Sequence, residues 1–125
     1  VKAARIDGSR APEAMTAERC AIAELSNSAE DPGLSIARAR VAPGVTTRWH
    51  RLHGIAERYV ILEGRGRAEV DERPPQEMRP GDVLLIPPLS RQRITNTGSA
   101  DLVFLALCTP RFEWSAYEDV DEVAL

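Results

Sequence analysis

A chain of 125 residues makes one compact domain and is too short for two. Its 43% hydrophobic and 28% charged residues suit a soluble globule, and a net charge of −3, from sixteen basic and nineteen acidic side chains, lacks the basic excess of a dedicated nucleic-acid binder. Cys20 and Cys108 stand in no metal-like spacing, and neither a leader-like start nor an apolar run near about 18 residues occurs, so we expect a cytoplasmic protein with reduced thiols that binds neither nucleic acid nor membrane.

Residues 1–17 are mixed, with a turn or single helical turn at Ala11-Pro12-Glu13-Ala14. ERCAIAELS (18–26) alternates and reads as a strand, with Cys20, Ile22 and Glu24 on one face. NSAEDPG (27–33) gathers loop-forming residues. LSIARARVAP (34–43) is a second strand, Ala37, Ala39 and Val41 facing one way and Ile36, Arg38 and Arg40 the other. GVTTRWHRL (44–52) is a third and turns at His53-Gly54, and ERYVILEG (57–64) is a fourth. GRAEVDE (66–72) follows a tight connection, RPPQEMRPGD (73–82) is a loop, and VLLIPP (83–88) is an apolar strand stopped by two prolines. RQRITN (91–96) and LVFLALC (102–108) flank a turn at TGSAD, the latter expected to be buried on both faces. The acidic tail (111–125) carries a short helix near YEDVDEV. Roughly eight short strands without a long amphipathic helix give an all-β fold, a small antiparallel sandwich or barrel.

Both histidines, His50 and His53, lie in the stretch from Gly44 to Gly64. On a strand, residues two apart share a face, so an inward His50 takes Leu52 with it and turns His53 out unless the strand ends or bulges. Glu57 opens the next strand with Tyr59, Ile61 and Glu63 on its face, so two adjacent strands would set His50 beside Glu57. Imidazole and carboxylate together suit a divalent transition metal, and they serve as well as plain polar lining of a barrel mouth. A buried Glu57 needs a partner either way, and Arg38 and Arg40 on a neighbouring strand compete with a metal for it. Tyr59 reads as barrel lining or a donor to a substrate, Cys108 as a buried thiol, and Trp49 as an outward-facing side chain.

In this register the chain resembles the cupin superfamily of small jelly-roll barrels. The first cupin motif, G-x5-H-x-H-x3-4-E-x6-G, aligns with Gly44, His50, Glu57 and Gly64, and the second, G-x5-P-x-G-x2-H-x3-N, with Gly81, Pro87 and Asn96. The resemblance covers about residues 34–110. It implies an antiparallel jelly-roll β-barrel of two packed sheets with little helix, forming a single cupin domain over residues 1–125, with an N-terminal strand at 18–26.

In the metal-binding members, three histidines and a glutamate hold a divalent ion. His50 and Glu57 match two of these positions. Leu52 stands at the second histidine with His53 one place later, Gln92 stands at the third, and Leu89 replaces the glycine before it. The ligand set the resemblance implies is therefore His50, His53, Glu57 and Gln92, holding a transition metal such as Fe, Mn, Ni or Zn. The implied function is a metal-dependent enzyme, dioxygenase-, isomerase- or lyase-like, acting on a small organic molecule. Leu52 and Gln92 point instead to a metal-free cupin that binds a small ligand without catalysis. The resemblance also implies a homodimer, for which the apolar edge CAIAELS and Trp49 offer a surface.

Overall fold

Short apolar–polar alternations broken by Gly, Pro and Asn produce eleven strands in the computed structural model, which describes residues 1–121. They are β1 (Ala14–Met15), β2 (Ala21–Ser26), β3 (Ser35–Val41), β4 (His50–Leu52), β5 (Ala56–Glu63), β6 (Gly66–Val70), β7 (Gln76–Met78), β8 (Val83–Ile86), β9 (Gln92–Asn96), β10 (Leu102–Thr109) and β11 (Tyr117–Asp119). Helix among the described residues is confined to single 3-10 turns at Gly8–Arg10 and Trp114–Ala116. None of it is long and apolar enough to cross a membrane.

The strands form two antiparallel sheets, one ordered β1-β2-β3-β10-β5-β8 and the other β11-β4-β9-β6-β7. This is the jelly-roll arrangement of the expected all-β class. The core lies between the sheets, where Val41, Ile61, Ile94 and Leu102 are at most 1% exposed. Each such side chain contributes about 1.5–3 kcal/mol through burial. Asn96 sits in the same interior and ties the turn before β10. Its Nδ2 donates to the Val41 and Ala100 carbonyls at 2.8 and 2.9 Å, and its Oδ1 accepts from the Gly98 N–H at 2.9 Å. Gly64 is required between β5 and β6, because at φ +82° a Cβ would stand 2.5 Å from the Asp101 carbonyl oxygen.

Several expectations are corrected. The strand expected at 18–26 begins at Ala21, since Arg19 takes φ +69° in a turn. The strand expected at 44–52 shrinks to His50–Leu52, the preceding residues touching β9 through a lone Thr46–Thr95 bridge. The loop at 73–82 contains β7, which pairs with β6 and buries Met78. In place of a helix near YEDVDEV, Tyr117–Asp119 form β11, held by pairing with β4; residues 122–123 of that stretch lie outside the described residues. The CAIAELS strand is not an edge, because β1 pairs along it. Trp49 is half-buried, its ring lying under the Arg91 and Arg93 guanidiniums at 4.8 and 4.4 Å. β10 is buried on both faces at its start, where Leu102, Val103 and Phe104 are at most 3% exposed, and only on the inner face beyond it, Leu105 and Leu107 being half-buried on the outer one. Finally, β4 and β5 belong to different sheets, so His50 and Glu57 approach across the interior and not side by side.

Candidate functional site

His50 points inward from β4 and is 4% exposed. Its Nδ1 lies 2.9 Å from the Arg48 carbonyl oxygen. A carbonyl only accepts, so Nδ1 carries the hydrogen, and Nε2 is the nitrogen left facing the interior. The Tyr117 ring stacks against the imidazole with centroids 5.2 Å apart and planes 21° apart, holding the ring from the β11 side. Glu18 Oε1 stands 3.9 Å from Nε2, beyond hydrogen-bond reach.

Glu57 faces His50 from β5 and is 8% exposed. The Cys108 thiol donates to its Oε2 at 3.5 Å, while Oε1 has no hydrogen-bond partner among the described residues. Burial pushes its carboxyl pKa upward, His50 opposes the rise and Glu18 adds to it. The Gln92 amide also favours the ionised form, without completing a hydrogen bond to Oε1. The arginines expected to compete for Glu57 do not reach it. They lie on the outer face of β3, two strands away, where Arg40 pairs with Glu13 and Asp101. Burial and Glu57 together push the Cys108 thiol far up, which keeps it a neutral donor.

Gln92 enters from β9 and is 1% exposed. The Tyr59 hydroxyl donates to its Oε1 at 2.5 Å, and the Tyr59 ring packs on Phe104 at 4.4 Å. Burial raises the Tyr59 hydroxyl well above its ordinary value, so it stays a donor.

His53 lies outside. Its side chain is 54% exposed, and its Nε2 meets Glu118 Oε1 at 2.6 Å. The physical reason is strand period: Leu52 is inward and 3% exposed, so its neighbour turns out, and the chain bends at Gly54 before a bulge can reverse it. The His53 backbone N–H donates to Ala116, which fixes that register.

A cleft of about 60 Å³ lies beside His50, Glu57 and Tyr59. Its polar end holds His50, Glu57 and Glu18, and its walls include Phe104, Phe112 and Trp114. Glu18, Phe112, Trp114 and Tyr117 escaped sequence reasoning. Glu18 sits in a turn with no motif around it. The tail carried a signal, since three of the chain's six aromatic residues fall within 112–117, a density unlike a solvated end.

The donor set falls short of a transition-metal site. Leu52 replaces an imidazole with a side chain that cannot ligate, His53 is turned away, and the Gln92 oxygen is engaged by Tyr59. His50 Nε2 and Glu57 Oε1 remain, and among the described residues no group of three or more His, Cys, Asp or Glu side chains is placed to hold an ion.

A family model described as a cupin domain matches residues 37–108. An uncharacterised protein of Methanocaldococcus jannaschii is 34% identical over 87 residues, 70% of this chain, and the chain spans 66% of that relative's length. Among solved structures, Streptomyces Pac13, a nucleoside dehydratase, superposes in a uridine complex with a TM-score of 0.81 at 11% identity, covering 99% of this chain and 95% of Pac13. A predicted oxalate decarboxylase of Thermotoga maritima gives 0.75 at 25% identity, over 86% of this chain and 99% of the other. KdgF of Halomonas gives 0.76 at 14%, over 87% and 96%.

Proposed function

The chain belongs to the cupin domain family, and from that premise we propose that its barrel is an acid–base site that binds a small organic molecule and moves a proton to or from it without a resident metal. The observation that carries this reading is the facing pair: an inward His50 Nε2, its ring fixed by the Arg48 carbonyl, and a buried Glu57 whose carboxyl holds its proton to higher pH than usual.

His50 is the base and Glu57 the acid. His50 Nε2 takes a proton from a substrate carbon, and the Glu18 carboxylate stabilises the imidazolium that forms. Glu57 gives its proton to a departing hydroxyl, so that water leaves and a double bond forms, or to another carbon, which isomerises the substrate. Solvent returns the proton from His50 to Glu57. Tyr59 lines the cleft where the substrate would rest and is fixed by its hydrogen bond to Gln92. Isomerase or lyase chemistry fits this machinery, and the dehydratase activity of a structural neighbour supports the fold's capacity for it.

Small carbonyl and hydroxy compounds that bind by NMR are incubated in D₂O with a chelator present. The expected result is solvent deuterium entering a ligand C–H position, at a rate cut about 100-fold or more in His50→Ala and Glu57→Gln. Exchange that survives both substitutions overturns the proposal.

A second reading keeps an ion on His50, Glu57 and Gln92, one of Fe, Mn, Ni or Zn, and the unpartnered Glu57 Oε1 favours it. Near-stoichiometric metal in protein purified without a histidine tag would establish this reading; under about a tenth of an equivalent, with none regained on adding these ions, removes it. Two further expectations accompany the proposal. The buried free thiols Cys20 and Cys108 suit a reducing cytoplasm, and the outer face of the first sheet suits a homodimer.

A further inference from the structure

The acid–base reading leaves the substrate's charge open, and the walls of the cleft bear on it. None of the chain's sixteen lysines and arginines lines the cleft, whereas Glu18, Glu24 and Glu57 all do. Arg111 is close enough to act on the Glu24 charge, but its guanidinium is bonded to Asn27 Oδ1 at 2.8 Å and Glu113 Oε1 at 3.1 Å. The Glu18 side chain is only 12% exposed, and its one ion-pair contact among the described residues is the His50 ring at 3.9 Å. Glu57, more than nine-tenths buried, also lines this space, and its Oε1 has no hydrogen-bond partner among the described residues. The remaining wall is aromatic: Phe104 inside, with Phe112 and Trp114 meeting edge to face at 5.0 Å toward the mouth.

Resting on the acid–base reading of this cleft, we propose that its ligand is a small organic cation, an ammonium or amidinium group on an apolar body. A cation supplies what the largely buried Glu18 carboxylate lacks, a charged donor. The aromatic faces add attraction for the same charge and cover the apolar body. An anion would meet carboxylates and no lysine or arginine, and a neutral ligand would leave the Glu18 charge unanswered. The cation sits toward Glu18 and Glu24, leaving the ligand's far end for His50 and Glu57.

The test uses three probes of one shape, benzylammonium, benzyl alcohol and benzoate, titrated into the whole chain by calorimetry and NMR. Benzylammonium is expected to bind at least about tenfold tighter than benzyl alcohol, benzoate to show no binding, and Glu18→Gln and Glu24→Gln each to weaken benzylammonium by several-fold to about tenfold. Glu18→Gln keeps the side chain's shape and Glu24 is exposed, so one of the two variants reports even if the other misfolds. Benzoate or benzyl alcohol binding as tightly as benzylammonium, no binding by any probe, or unchanged affinity in the folded variants overturns the proposal. Cation binding without deuterium exchange into any bound ligand would support this inference and remove the acid–base reading. Exchange into neutral or anionic ligands alone would do the reverse.

Discussion

Leu89 occupies the position where the second motif carries glycine, and its backbone sits at φ +69°. An L side chain there costs about 1–2 kcal/mol. The side chain is 51% exposed, so little burial offsets the strain. Leu89→Gly should stabilise the fold by a net 0.5–1 kcal/mol or about that, read as a rise in Tm of about 2–4 °C by calorimetry; a fall would mean that Leu89 packs more usefully than its exposure suggests. Glu57 stores a different liability. Burial raises its pKa in the folded state, so it favours folding at low pH, and that favour is lost as pH rises from the ordinary glutamate range through the raised value. Glu57→Gln stays neutral and escapes the loss. The Tm of the variant relative to the parent should therefore climb as pH rises above the ordinary glutamate range, and a difference that does not change with pH would refute the assignment. The inward aim of His50, Glu57 and Gln92 was legible from period-two alternation and motif register. The outward aim of His53 was legible too, from Leu52 beside it, but the resemblance drew it into the ligand set because motif spacing counts residues and not faces.

At the scale of elements, the two motif blocks supplied β3 to β6 and β8 to β10, because each is a short alternation closed by Gly, Pro or Asn. What sequence missed were β1, β7 and β11, two or three residues each and defined by the strand they pair with. Such segments have too few residues for a period, and tertiary pairing decides them. The same limit hid the meeting of His50 and Glu57 across two sheets, since adjacency in sequence does not say which strands pair. Asn96 shows how a single side chain holds elements together. Asn96→Ala would leave the Val41 and Ala100 carbonyls and the Gly98 N–H without their partner, and should cost about 2–4 kcal/mol in chemical denaturation. A loss under about 1 kcal/mol would show that water replaces the amide.

For the whole molecule, the outer face of the first sheet carries Leu62, Val83 and Leu85, exposed by 43%, 55% and 71% on the paired strands β5 and β8. A patch of this kind on an edge strand favours self-association. Sedimentation at micromolar concentration should give a dimer, and Leu85→Lys a monomer; a monomeric parent would rule the homodimer out. The site, by contrast, is assembled from distant parts of one chain. His50, Glu57, Tyr59, Gln92 and Cys108 fall within the 37–108 block that matches the family, whereas Glu18, Phe112, Trp114 and Tyr117 come from the flanks. The proposed reacting groups therefore lie inside the matched block, while part of the cleft wall comes from outside it, Phe112 and Tyr117 packing on the Leu52, Ile55 and Cys108 cluster and Trp114 standing exposed. On the proposed reading, exposed flank positions such as Trp114 are where a lineage descended from this chain could change what it binds while His50 and Glu57 stayed the same.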